Sequence, residues 1–162
     1  RTQAKLEVGS GRFVGKCFRT TTHVRSRKRY SLVGVAMKGL GLVAFLAHDY
    51  DEATSFFVDK LGFSLVEDTD MGDGKRWVVV SSGGGASLLI AKADGEEQQA
   101  SVGNQAGGRV GFFLTTDNFE RDYTTWTERG VKFRELPRTE PYGVVAVFED
   151  LYGAPWDLIQ PA

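Results

Sequence analysis

Phe45-Leu46-Ala47-His48-Asp49-Tyr50-Asp51-Glu52-Ala53-Thr54-Ser55-Phe56-Phe57, continuing through Lys60-Leu61-Gly62-Phe63-Ser64-Leu65-Val66-Glu67, reads as a strand, a helix and a second strand. Leu40 to Ala47 is apolar with small spacers, which suits a buried strand. Asp49 is a good helix N-cap, and Asp51 and Glu52 fall in the first turn, where the helix dipole favours acids. Ala53, Phe56, Phe57 and Leu61 recur at helical spacing and form the buried face. Gly62 is placed to end the helix.

The same plan returns further on. A gap-free shift of 68 residues carries Phe45 onto Phe113, Leu46 onto Leu114, Asp49 onto Asp117, Gly62 onto Gly130 and Glu67 onto Glu135. Arg76-Trp77-Val78-Val79-Val80-Ser81 and Ala86-Ser87-Leu88-Leu89-Ile90-Ala91 complete the first copy as strands, joined by a turn at Gly83-Gly84-Gly85. Residues 93–108 form a polar linker with room for one helical turn. The second copy is expected as a strand over Arg109–Thr115 and a helix over Phe119–Arg129, capped by Thr116 or Asp117. A strand over Val131–Leu136 closed by Pro137, and two last strands around Val144–Phe148 and Trp156–Ile159, follow. Both halves read βαβββ, so the expected fold is α+β, with modules at 40–92 and 109–160.

Composition narrows the function classes. The 162 residues are 41% hydrophobic and 12% aromatic, enough for a packed core, and no apolar run approaches the length of a membrane helix. Cys17 is the only cysteine, which excludes an intrachain disulfide and suits a reducing, cytoplasmic setting. Charge is unevenly divided. Residues 1–36 hold nine Lys/Arg against Glu7, whereas 37–162 hold eleven basic and twenty acidic residues, a net of −9. The acidic body argues against nucleic acid as its partner. The basic head is expected to be a separate extension, with Met37 as a plausible start of the domain. A solvated tail, a targeting segment and a nucleic-acid arm through Arg25-Ser26-Arg27-Lys28-Arg29 are its three readings, and Gly9-Ser10-Gly11 suits a small hairpin turn.

Asp49-Tyr50-Asp51-Glu52-Ala53…Phe56-Phe57…Leu61-Gly62-Phe63, together with Pro141-Tyr142-Gly143…Phe148-Glu149-Asp150-Leu151-Tyr152-Gly153…Trp156-Asp157-Leu158, resembles the vicinal oxygen chelate superfamily. This is the glyoxalase, bleomycin-resistance and extradiol-dioxygenase group. The resemblance covers about residues 40–160. It implies two βαβββ modules whose eight strands curl as a mixed sheet around a cleft, often in a homodimer. In its metalloenzymes, ligands stand at four strand positions. The resemblance places these at Leu42, within Ser87–Ala91, at Val110 or Gly111, and at Asp157. Of these, only Asp157 is a usual ligand type, so no metal and no cofactor are expected.

A cleft without metal works through shape, stacking and a few polar groups. Strand alternation puts Leu42, Ala44 and Leu46 on the cleft face. The 68-residue shift adds Val110, Phe112 and Leu114, with Asp157 and Ile159 also facing in and Trp156 and Leu158 facing the helices. The candidate ligand-binding residues are therefore Trp77, Asn104, Gln105, Arg109, Phe112, Tyr142 and Asp157. Asp157 could bind a cationic group or serve as a base, or it could pair with Arg109 and close a strand. Glu149 and Asp150 are expected to be solvated. The expected function is metal-independent binding of a small aromatic or cationic molecule between apolar walls. The alternative is a lyase, isomerase or dioxygenase of the glyoxalase kind.

Overall fold

The computed structural model describes residues 39–162. The readings made for the basic head, including its hairpin and its arginine cluster, lie outside the described residues. The first module comprises β1 (Leu42–Ala47), α1 (Tyr50–Ser55), β2 (Ser64–Gly72), β3 (Lys75–Ser81) and β4 (Ser87–Lys92). A linker carrying the short helix α2 (Glu96–Ser101) leads to the second module. This comprises β5 (Phe112–Thr115), α3 (Phe119–Glu128), β6 (Arg138–Glu140), β7 (Gly143–Glu149) and β8 (Pro155–Pro161). The strands lie in two four-stranded mixed sheets, ordered β1-β4-β3-β2 and β5-β8-β7-β6, each with one parallel pair. No helix among the described residues is long and apolar enough to cross a membrane.

Asp49 caps α1 as expected, its Oδ1 accepting from the backbone N–H groups of Asp51 and Glu52. Those bonds, chiefly the one from Glu52, hold the Asp49 carboxyl below its usual range. Asp49→Ala should therefore destabilise the fold by about 1 kcal/mol in urea titration, with an unchanged denaturant slope. The second helix is capped one residue later than expected. Asn118, not Asp117 or Thr116, accepts from the N–H of Arg121.

The gap-free repeat fails for a local reason. The caps Asp49 and Asn118 are 69 residues apart, as are Phe57 and Trp126, whereas Gly62 and Gly130 are 68 apart. The difference is one residue, and α1 absorbs it by continuing into a wider π-type turn over Phe56–Lys60. There the N–H of Phe63 reaches back to the carbonyl of Phe57, six residues away. In the second module the N–H of Val131 reaches Trp126, only five away. Upstream of the helix the true offset is 69, so Phe45 corresponds to Leu114 and not to Phe113.

This single residue inverts the face of β5. Phe112 and Leu114, expected on the cleft side, pack into the core, and Phe113 is 61% exposed. Phe112 stacks on Trp156 with ring centroids 4.2 Å apart. Phe45 meets Phe112, Tyr152 and Trp156, and Phe57 meets Trp156, so the two modules share one aromatic core through their helix-side faces.

The sixth strand also departs from expectation. Residues 131–136 make only a bridge, Phe133 opposite Phe148, and the regular strand begins after Pro137. Pro137 has no N–H to donate, and the Glu135 side chain takes the ladder's place by accepting from the N–H of Val147.

Candidate functional site

Each sheet turns one face to the helices and leaves the other open. On the first sheet, cross-strand pairing puts Leu42, Ala44 and Leu46 of β1 beside Ser87, Leu89 and Ala91 of β4. Val79 and Trp77 of β3 continue that face, Trp77 lying opposite Thr69. Leu42 and Trp77 are each 39% exposed. On the second sheet, Phe113, Asp157 and Val147 form one cross-strand row, and Thr115, Ile159, Val145 and Arg138 form the next. The central rows of both faces are mainly apolar with charged groups at their margins, and Asp157 is the acid at the centre of the second.

Asp157 is held in an unusual state. Its Oδ1 is buried with no hydrogen-bond partner among the described residues. Burial pushes its carboxyl above the usual range, and the charge of Arg138 only partly offsets this. Arg138 is itself held by Glu135 and Glu140, the latter at 3.1 Å. Asp157 does not pair with Arg109, which lies under the linker.

The seven expected ligand-binding residues fall in three places. Asn104, Gln105, Arg109 and Phe112 come together beneath the linker, around a void of about 10 Å³, no larger than a water molecule. Gln105 acts there as a clip on the unpaired edge of β1. Its Oε1 accepts from the N–H of Leu46 and its Nε2 donates to the carbonyl of Ala44, at 3.0 and 3.1 Å. The linker is pressed close at Gly103, where a Cβ would lie 2.6 Å from the carbonyl oxygen of Tyr152. Trp77 belongs to the first open face. Asp157 lies on the second, with Tyr142, 55% exposed, at the turn that leads into β7.

Asp150, expected at the surface, is 6% exposed. It accepts from the backbone N–H groups of Tyr152 and Ala154 and from the indole Nε1 of Trp156. It is an organiser of the β7–β8 turn, and the spacing of Asp150, Gly153 and Trp156 already contained that geometry. Tyr152 in turn accepts from the N–H of His48, tying this turn to the end of β1.

Sequence reasoning missed two features. Phe113 is open, although the 68-residue shift aligns it with the core residue Phe45, and the offset of 69 that reverses this rests on the Asn118 cap seen in the structure. A cavity of about 440 Å³ also opens between the Ser82–Ala86 turn and β5, walled by Val43, Leu88, Phe112, Leu114 and Trp156. No pattern in the sequence signals it, because it lies between the two modules.

The chemistry of the metal positions is clear from their side chains. Leu42, Leu89 and Gly111 offer no ligand atom, and Asp157 is flanked by Phe113, Val147 and Ile159. Among the described residues no group of three His, Cys, Asp or Glu side chains could hold an ion. The donor set does not fit a divalent metal in the single chain.

Comparison with known proteins agrees with this architecture. The profile of the glyoxalase/bleomycin resistance protein/dioxygenase superfamily matches residues 39–158. An uncharacterised protein of Shewanella frigidimarina is 54% identical over 121 residues, 73% of this chain and 90% of that one. Among solved structures, UcmS2 is 28% identical with a TM-score of 0.66, over 76% of this chain and 98% of its own. TnmS3, described as an antibiotic binding protein from Streptomyces sp. CB03234, is 28% identical with a TM-score of 0.64, over 80% of this chain and all of its own.

Proposed function

Because the chain belongs to the glyoxalase/bleomycin resistance protein/dioxygenase superfamily, we propose that it is a metal-independent binding protein of the bleomycin-resistance type. It takes up a small aromatic or cationic molecule on its open sheet faces. The observation that carries this reading is the pair of mainly apolar faces, the second with one unpaired carboxylate, where a metalloenzyme needs three or four ligands. The antibiotic-binding TnmS3 supports the ligand class. The lone cysteine suits a reducing compartment, so the proposal places the protein in the cytoplasm.

The working unit of this proposal is a homodimer. Among the described residues Leu42, Trp77 and Phe113 are exposed on these faces, and neither face alone encloses a ligand. A first-module face set against the second-module face of another copy closes a cleft with Trp77 and Phe113 among its walls. Sedimentation equilibrium should then give twice the 17.8 kDa chain mass, and Phe113→Asp should give monomers.

Ligand and metal measurements test the binding reading. A melting-temperature screen of planar aromatic compounds and amines should yield at least one concentration-dependent rise. Protein purified without chelator should contain no stoichiometric divalent ion. One ion per subunit, lost in Asp157→Asn, would overturn the proposal in favour of a glyoxalase-like lyase, isomerase or dioxygenase.

A further inference from the structure

Cross-strand register puts Glu140, Glu149 and Asp157 on the open face of the second sheet, and Glu149 is engaged by Lys132 and Arg134. Glu135 and Glu140 both engage Arg138. That leaves Asp157, on the row between Phe113 and Val147 and diagonal to Ile159, as the acid of this face with no ion pair among the described residues. No described residue donates a hydrogen bond to either of its oxygens, and Oδ1 is closed to water. Arg138 is already engaged by Glu135 and Glu140, and Thr115 and Tyr142 are further polar groups near this face.

An unsatisfied carboxylate beside apolar side chains is costly in the empty protein. A group that gives the other oxygen, Oδ2, a donor and balances the charge lowers that cost on binding. Water and neutral hydroxyls supply a donor but no charge. A carboxylate or phosphate on the ligand would add a further anion beside Asp157. A protonated primary or secondary amine supplies both donors and charge. The ring of Phe113, 61% exposed in the same row, offers an apolar platform and a π face to the same group.

Resting on the small-molecule reading above, we infer that the ligand carries a protonated amine on an aromatic or apolar body. The ammonium donates to Oδ2 of Asp157, and the body lies over Phe113. Recognition is by charge and hydrogen bonding at one end and by apolar contact at the other, so neutral and anionic analogues of the same shape are discriminated against.

A matched pair of probes tests this. 2-Naphthylmethylamine is a cation at neutral pH, and 2-naphthalenemethanol is its neutral counterpart of nearly equal size. In titration calorimetry on the full chain the amine should bind at least tenfold tighter. Asp157→Asn should reduce the amine to the level of the alcohol and leave the alcohol within twofold. Phe113→Ala should weaken both probes. Equal affinity for the two probes in the wild type would overturn the amine inference while leaving the small-molecule reading intact. So would a preference that survives Asp157→Asn. If neither probe binds at millimolar concentration, the inference falls. If the broad screen is also silent, the binding reading falls with it.

Discussion

Replacing Trp156 with alanine should cost about 3–5 kcal/mol, a large part of the stability of a domain this size. The indole is 1% exposed and meets the rings of Phe45, Phe57, Phe112 and Phe148. Two of those rings come from the first module and two from the second, so the cavity would open where the modules share their core. The substitution also removes the donor that Trp156 gives to the buried Asp150. Urea unfolding at fixed pH should show a midpoint lowered in proportion, or no cooperative transition. Trp156→Phe keeps most of the volume and loses the indole N–H, so it should recover over half of the loss. By contrast, Phe113→Ala on the open face should change stability by less than about 0.5 kcal/mol. A loss for Phe113→Ala as large as that for Trp156→Ala would show that the face of β5 has been read the wrong way round.

Asp157→Asn should stabilise the ligand-free protein by less than about 1 kcal/mol at neutral pH, because only Oδ1 is closed to solvent and water screens the rest of the charge. The sign follows from the direction of its titration. Burial raises the folded-state carboxyl above its unfolded value, with Arg138 opposing. The folded chain therefore holds this proton more tightly. Below the unfolded value both states are protonated, and the group costs nothing through charge. As pH rises through the two values the folded state loses stability, and the loss is complete above the folded value. Asparagine has no such transition. Its advantage should be present at pH 7 and fade as the pH falls below the ordinary carboxylate range. Asp150 is also raised by burial, but it is common to both proteins and cancels in the difference. The other charges near Asp157 are Arg138, Glu135 and Glu140, and they too are unchanged by the substitution. A constant difference across pH, or a loss of stability, would mean that Asp157 is satisfied in solution. A gain in stability together with loss of amine binding would mark a residue kept for binding at the expense of the fold.

Much of the fold was legible in the chain. The first helix, its Asp49 cap and its Gly62 stop follow from local rules, because caps and helix ends are satisfied within a few residues. The β-branched run Val78-Val79-Val80 and the βαβββ order of both modules were equally plain. Legibility failed where pairing between distant segments decides. The strand expected over 131–136 yields to a bridge and a later β6, because Pro137 and the Glu135 side chain break the ladder against β7. The candidate site fared unevenly for the same reason. Asp157 was read correctly as facing away from Trp156 and Leu158, since alternation along one strand is local. Gln105, a candidate ligand group, also clips the edge of β1, and that bond to Ala44, 61 residues away, has no local signal in the chain.

The sequence by itself determined the repeated modules, the caps and the alternation within each strand. Each of these is set by periodicity and short-range hydrogen bonding. Only the tertiary structure decided which face of β5 is open. One additional residue, absorbed in the wider turn after α1, shifts the second module's strand against the first and exchanges Phe112 with Phe113. A strand has a period of two, so a slip of one residue reverses every side chain. No local pattern carries that information; it appears when both helices are docked on their sheets and the shared core has chosen its rings.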